Sequence, residues 1–561
     1  MFFGRVAVGL VLLLPVDSLA QTVGRAVEVR VDAKHTLGPY HSTWSYFGAD
    51  EPNYVYSANG RQLLKELSEL SRAPVYVRLH NLLTSGDGSA SLKWGSTGAY
   101  REDAEGRPVY NWEIVDRIFD ALHKNGVRPL VEVGFMPEAL STHPEPYRHS
   151  FPDGSVFTGW SYPPKDYDKW AALIEAWVEH LRGRYGDAEV KTWLWEVWNE
   201  PDIDYWHGTP EEYDRLYDVT AAAIQKVLPE AKIGGPEVTG VSPGRSENFL
   251  RQFLEHCAKG KNAATGKVGA PLAFISFHPK GSPKWVDGHV RMDIGHQLRA
   301  MDLGMKVVAS YPEWKGTPII LGESDPEGCA ACKGSQNGYR NGPLYGVSVA
   351  EATARAEELA KRNGMELQGA VTWALEFEDQ PLFAGFRELA TGGKVGGESF
   401  LVDKPVLNVF RMMGMMGGDW VEVSSTGARP VEEMLKESVR GEPDVNAVAT
   451  RTKDHVDVLL WNYHDDDAVA PPASVKLDVS GLPVGKVRVQ RFLVDAEHSN
   501  AYAVWKKMGS PERPTAEQFV ALQKAGTLEA AKELPDVVKD GRARVDVKME
   551  RQAVMLVRFA W

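Results

Sequence analysis

Three cysteines in 561 residues are too few to staple a chain of this length, so a disulfide scaffold is excluded and the fold must rest on a packed core. Long apolar runs are equally scarce. Beyond the first stretch, no segment approaches the roughly 20 apolar residues that a membrane-spanning helix needs. Basic charge is in deficit: 76 acidic residues face 63 Lys and Arg, the formal net charge is -13, and no arginine-rich arm is present to grip a phosphate backbone. That balance argues against nucleic acid as a partner. Also missing are a repeat with a period of about 20 to 50 residues, an HExxH step and a second CxxC. No metal and no cofactor are therefore expected.

What is present is organised in three parts. The opening MFFGRVAVGLVLLLPVDSLA carries Arg5, an apolar run to about Val16 and small residues at Ser18 and Ala20, the pattern of a secretory signal spanning residues 1–20. The mature chain is expected to be exported, periplasmic or secreted, with no membrane attachment after cleavage. From residue 41 short apolar runs alternate with amphipathic helical patterns, the rhythm of a parallel sheet with crossover helices. Eight strand candidates are legible, at 41–47, 75–79, 128–134, 192–198, 231–236, 272–277, 317–323 and 370–376. Eight such units predict an α/β fold, a (β/α)8 TIM barrel over residues 41–418, with long insertions at 81–111 and 137–165. After Gly417 the pattern becomes period-two alternation broken by Gly, Pro, Asp and Asn, which predicts an antiparallel β-sandwich over residues 419–561. The N-terminal segment 21–40, with VEVRVD at 27–32, alternates in the same way and is expected to add a strand to it.

The most informative stretch is TWLWEVWNEPDIDYW, residues 192–206, which concentrates aromatic and acidic side chains just where the fourth strand ends. In this class of barrel the active face is built at the C-terminal ends of the strands. Glu200 lies past strand four and Glu323, in ILGES, at the end of strand seven, so both project to the same end. Two carboxyl groups there suit glycosidic cleavage: one protonates the leaving oxygen, and the other attacks the anomeric carbon or activates water. Glu196, in mid-strand, is the rival and reads better as a supporting hydrogen-bonded group. Asn199 offers an amide for a sugar hydroxyl. Pyranose rings have apolar C–H faces on which aromatics stack; Trp198, Tyr205, Trp206 and Trp373 are the cleft candidates, whereas Trp193, Trp195 and Val197 share one strand parity, so at least some of them are expected to pack against the helices. His80 and His278 end strands two and six and are expected to contact substrate, a zinc site being the competing reading. Cys329 and Cys332, in GCAACKG, could close as a loop disulfide or stay free thiols, and Cys257 reads as a buried small hydrophobe.

In order along the barrel, TWSYFG, YVRLHN, YNWEIVDRIFDAL, RPLVEVGFMPEAL, EVWNEPD, IGGPEVTG, ISFHP, ILGES and GAVTWALEFED resemble glycoside hydrolase family 39, the group of bacterial β-xylosidases and α-L-iduronidase. The resemblance implies a retaining mechanism with Glu200 as acid/base and Glu323 as nucleophile. It also implies sugar contacts at His80, Phe135, Asn199, His278 and Trp373, with Glu378 and Asp379 in the place of a family acidic pair. Three departures bear on substrate: Pro279 and Lys280 follow the strand-six histidine, the segment after Trp373 is shortened, and the loop after Glu323 carries the CAAC insertion. The expected activity is exo-acting release of a terminal xylose-like pentopyranose from short oligosaccharides or side chains. An α-L-arabinopyranoside is the second expectation and a uronide, whose carboxylate Lys280 or Arg340 would meet, the third. A noncatalytic carbohydrate-binding barrel and an extracellular scaffold built on the sandwich are the alternatives outside hydrolysis. Oligomeric state is not legible.

Overall fold

The computed structural model describes residues 25–89, 95–151, 154–485, 487–531 and 538–561; the expected leader, 1–20, lies outside them. Eight parallel strands close into a barrel. They are Tyr46–Ala49, Tyr76–Leu79, Arg128–Val133, Leu194–Val197, Lys232–Val238, Phe274–Phe277, Ile319–Leu321 and Leu367–Trp373. The last pairs with the first, Val371 opposite Tyr46 and Trp373 opposite Gly48, which completes the ring. Each predicted run overlaps one strand, but the first and fifth strands extend past their runs to Ala49 and Val238, the eighth begins three residues before its run at Leu367, and the others are shorter than their runs. A parallel strand covered on both faces needs apolar residues throughout, so its flanks look like strand in the sequence even where the ladder has ended.

The crossover helices follow from spacing and caps. In Tyr167–Tyr185, Asp166 caps the amides of Asp168 and Lys169, and Trp170, Leu173, Ile174, Trp177, Val178 and Leu181 fall on one buried stripe. Trp193 stacks on Phe119 with ring centroids 5.3 Å apart, and Trp195 meets Trp177 edge-on at 6.0 Å. These two strand tryptophans therefore fasten the sheet to its helix layer. Among the described residues no helix is long and apolar enough to cross a membrane.

The accessory part is a single curled sheet of ten strands. Its inner face gathers Val27, Val29, Val31, Val458, Leu477, Val545 and Val557 into one core as the two halves fold over each other. The N-terminal strand, Ala26–Pro39, sits inside the sheet, antiparallel to Asp419–Ser425 but parallel to Ala473–Ser480. That one parallel pair departs from the antiparallel expectation: the strand arrives from outside the run of consecutive hairpins, so no tight turn dictates its direction. The strand His455–Tyr463 is buried on both faces, because Leu459, Trp461 and Tyr463 enter the barrel's core cluster. Small hairpins ride on the active-face loops, Tyr100–Glu102 with Pro108–Tyr110 and Tyr147–Phe151 with Gly154–Gly159. A further hairpin pairs Ala390–Val395 with Glu398–Asp403.

Candidate active site

At the C-terminal mouth of the barrel one arginine organises the carboxylates. Arg78, from the second strand, is fully buried, and its guanidinium lies 3.0 Å from Glu132 and 3.2 Å from Glu323, in contact with Glu196 and 4.0 Å from Glu237. Glu132 and Glu196 are register partners on adjacent strands, so the ladder itself brings both acids to one level. A buried cation needs such compensation, since its desolvation in the barrel interior costs several kcal/mol, by an order-of-magnitude figure. Arg78 also donates to Asn199 Oδ1 at 3.0 Å, which leaves the Asn199 amide nitrogen to donate elsewhere.

Glu200 and Glu323 stand above this layer. Glu200 follows the fourth strand in a left-handed backbone, φ 43°, and its Oε1 meets His278 Nδ1 at 2.9 Å. Glu323 accepts from Arg78 on Oε1 and from the Lys280 ammonium on Oε2; Lys280 also reaches Asp325 at 2.7 Å. One carboxylate oxygen of Glu200, one of Glu323 and a ring nitrogen of His278 all lie within 4.8 Å of one another. Among the described residues this trio alone is close enough to suit a cation. Both nitrogens of His278, however, already face carboxylates, Nδ1 toward Glu200 and Nε2 toward Glu237 at 2.6 Å.

The electrostatics separate these acids. Burial opposes ionisation of Glu323, but Lys280, His278, His80 and Arg78 outweigh it and hold the carboxyl well below the usual range. Glu196 goes the other way: burial, only partly offset by Arg78, pushes it well above that range, and burial raises Glu132 as well. Burial would keep His278 neutral; Glu323, Glu200 and Glu237 together lift its imidazole to about 9.

The other candidates divide. His80 lies with Nε2 2.9 Å from Arg78 and 3.2 Å from Glu132, its ring 4.3 Å from Trp373. Trp373 lies flat over the first strand at Gly48, where a Cβ would fall 1.7 Å from the indole, so glycine is required there. Arg78 sits 5.2 Å from the same ring, and the indole nitrogen is buried with no hydrogen-bond partner. Phe135 stacks on Tyr205 at 5.6 Å and meets Trp198 edge-on. Trp198 is fully buried, with its N–H on the Tyr205 carbonyl, and is part of the wall rather than a stacking platform. Trp206 lines a cavity of 490 Å³ beside the Glu200 loop, with Tyr147, Ile203, Arg245 and Phe249. Glu378 is buried near Lys394, whereas Asp379 is exposed and pairs with Lys394 at 3.0 Å. Arg340 is pinned to Glu327 and to the carbonyls of Cys332 and Gly385, so it does not reach the cleft. Cys329 and Cys332 are bridged, and Cys257 is free and buried.

Sequence reasoning passed over Arg78, Glu132, Glu237, Asp325 and Arg387. A charged residue inside an apolar strand, as in VRLH and LVEV, was the available signal, because a barrel strand has no solvent side to put it on.

The model of the family "Glycosyl hydrolases family 39" matches residues 27–540. The chain is 28% identical over 461 residues to the β-xylosidase of Geobacillus stearothermophilus, covering 80% of this chain and 79% of that one. It is 27% identical over 528 residues to the α-L-iduronidase of Mus musculus, covering 88% and 74%. Among solved structures, a monomeric β-xylosidase from Caulobacter crescentus CB15 superposes with a TM-score of 0.72 at 22% identity, covering 95% of this chain and 99% of that one. The family 39 enzyme from Xanthomonas axonopodis pv. citri gives 0.74 at 19%, covering 97% and 100%. These two likenesses establish the shared fold.

Proposed function

This chain belongs to glycosyl hydrolases family 39 and is a glycoside hydrolase, and on that footing we propose that it works by retention, removing a terminal xylose-like pentopyranose from short oligosaccharides or side chains. The observation that carries the mechanism is the approach of Glu200 and Glu323 oxygens to within 4.8 Å. Double displacement needs carboxyl groups about 5 Å apart, whereas inversion needs a gap of roughly 6.5–9.5 Å to admit a water between them.

Glu323, held ionised by its four basic neighbours, is the nucleophile. Its oxygen bonds to the anomeric carbon as the glycosidic C–O bond breaks, and Glu200 gives its proton to the departing oxygen. In the second step Glu200 takes a proton from water, the hydroxide oxygen bonds to the anomeric carbon, and Glu323 leaves. Hairpins on the loops after strands two and three, with the segment 374–389 after Trp373, rise from the face that bears Glu200 and Glu323, which supports a closed site for one sugar at a chain end over a cleft for a continuous polymer. Xylose as the glycone is supported by the relatives named β-xylosidase. Lys280 favours a second reading, a uronide. Its ammonium touches Glu323 at the cleft, where beyond holding that carboxylate ionised it could also pair with a substrate carboxylate.

The test is a comparison of leaving groups. Glu200→Ala should cut turnover of a disaccharide by about 10²–10⁴-fold while sparing glycosylation by an aryl glycoside with a good leaving group, and azide should restore its deglycosylation. Equal losses on both substrates without azide rescue would remove Glu200 from the acid/base role.

A further inference from the structure

The fifth barrel strand, Lys232–Val238, delivers a further buried carboxylate, the glutamate of the IGGPEVTG segment. Glu237 is fully buried, and its backbone is left-handed at φ 55°, a conformation that a residue with a side chain adopts only when its surroundings impose it. Its Oε2 occupies the space over Gly322, the residue before Glu323, where a Cβ would fall 1.7 Å from that oxygen. Glycine at 322 is therefore what admits it. From that position Glu237 reaches Glu200 twice: its carbonyl accepts the Glu200 amide at 3.0 Å, and its Oε2 holds His278 Nε2 at 2.6 Å while Nδ1 of the same ring meets Glu200 Oε1 at 2.9 Å.

We infer that Glu237 is a positioning residue for proton transfer: it fixes the orientation of His278, keeps Nε2–H donating to itself, and so turns Nδ1 into the group that shares the proton of Glu200. The inference rests on the reading of Glu200 as acid/base. Glu237 does not line the cleft, so it acts through the imidazole.

Charged groups pack against the relay from the neighbouring strands. Glu237 faces His278 on the sixth strand's end, Arg78 at 4.0 Å from the second and Glu196 from the fourth, with Glu132 nearby on the third and Tyr213 from the helix Pro210–Val227 behind. His278 faces Glu323 as well, at 3.7 Å. Burial opposes ionisation of Glu237, but Arg78, Glu196 and His278 prevail and hold it far below the usual carboxylate range. Glu196 is pushed well above the usual carboxylate range and Glu237 is held below it, so of these two facing acids Glu237 is the one that presents negative charge to the imidazole. The protons balance over the cycle. The shared proton passes from Nδ1 to Glu200 as Glu200 protonates the leaving oxygen, so the His278–Glu200 pair has lost that one proton. When water attacks the glycosyl-enzyme, its proton returns to Glu200 and the pair is restored.

Glu237→Gln is nearly isosteric and deletes the charge. A proton shared by His278 and Glu200 is bound less tightly once the anion 2.6 Å from Nε2 is gone, so the alkaline limb of kcat/KM should move to lower pH by about one unit or more, a tenfold fall in proton affinity. Glu237→Asp keeps the charge and should restore the limb. An unshifted limb in folded Glu237→Gln protein would overturn the inference, as would a limb that stays low in Glu237→Asp. Should Glu237→Gln fail to fold, ¹⁵N-histidine spectra of the unmodified protein decide: His278 is expected to keep both ring protons up to about pH 9, and titration at the ordinary histidine value of about 6.5 would overturn the inference. The two readings fail separately. Absence of azide rescue in Glu200→Ala removes the acid/base assignment, whereas rescue combined with an unshifted Glu237→Gln limb removes only the role of Glu237.

Discussion

Lys280 is the residue on which the choice of glycone turns, and its contacts make that choice measurable. It is the largest of the groups that oppose the effect of burial on Glu323. Replacing it by Met should raise the folded pKa of Glu323, so the acid limb of kcat/KM, set by loss of the ionised nucleophile, moves to higher pH for every substrate. A second effect depends on the sugar. A charge-assisted hydrogen bond between Lys280 and a substrate carboxylate is worth about 1.5–3 kcal/mol. Lys280→Met would then cost an aryl uronide roughly ten- to hundredfold more in kcat/KM than an aryl xyloside. Equal losses on both, with the xyloside faster in the unmodified enzyme, would leave the neutral sugar as the substrate. How legible such residues are in the sequence differs for physical reasons. Glu200 and Glu323 stand beyond apolar runs in WNEP and LGES, where position alone marks them. Arg78 and Glu237 are not marked by position in this way, because their importance lies in partners 41 to 245 residues away in the chain.

At the scale of elements, the loop after the seventh strand is held by an arginine more than by its disulfide. Arg387 is fully buried; its Nε donates to the Trp373 carbonyl at 2.7 Å, and its terminal nitrogens pair with Glu327 and Asp325. It thereby fastens the loop bearing Glu323 to the end of the eighth strand. Cys329 and Cys332 close a loop with a sequence separation of 3, and a ring that small removes little chain entropy, about 2 kcal/mol in the loop-closure model. Breaking a buried ion pair by deleting one partner costs about 3–5 kcal/mol, because the other charge is left stranded. Arg387→Met should therefore lower the thermal midpoint further than dithiothreitol does and remove most activity, while the reduced enzyme keeps most of its turnover. The reverse order, seen by calorimetry and by hydrolysis of an aryl glycoside, would make the disulfide the principal tie. The strands themselves were readable as buried runs. The hairpins on the loops were not, since strands such as Tyr100–Glu102 and Pro108–Tyr110 are too short for alternation to register.

For the whole molecule, the barrel and the curled sheet share one hydrophobic core. The helix Pro343–Asn363 packs against the outer face of the sheet, where Leu459, Trp461, Tyr463 and Leu556 belong to the same cluster as the barrel's own side chains. A buried polar network pins this contact. Arg355 lies 2.7 Å from Glu351 and 3.0 Å from Asp444, and the Trp461 indole donates to Asp444 at 3.0 Å and to Glu351. Burial and Asp444 push the Glu351 carboxyl well above the usual range despite Arg355. A chain ending at Gly418 would lose Asp444 and Trp461 together, leave Glu351 and Arg355 facing water across a bare apolar helix face, and strip the strand Ala26–Pro39 of both neighbours. An exposed apolar face and an unpaired strand edge each promote association, so this shortened chain should elute as aggregate and show little glycosidase activity. Deleting residues 25–40 as well removes the orphan strand but not the bare helix. The doubly shortened chain should therefore still aggregate, and its recovery as a soluble, active barrel would show that the shared core is dispensable.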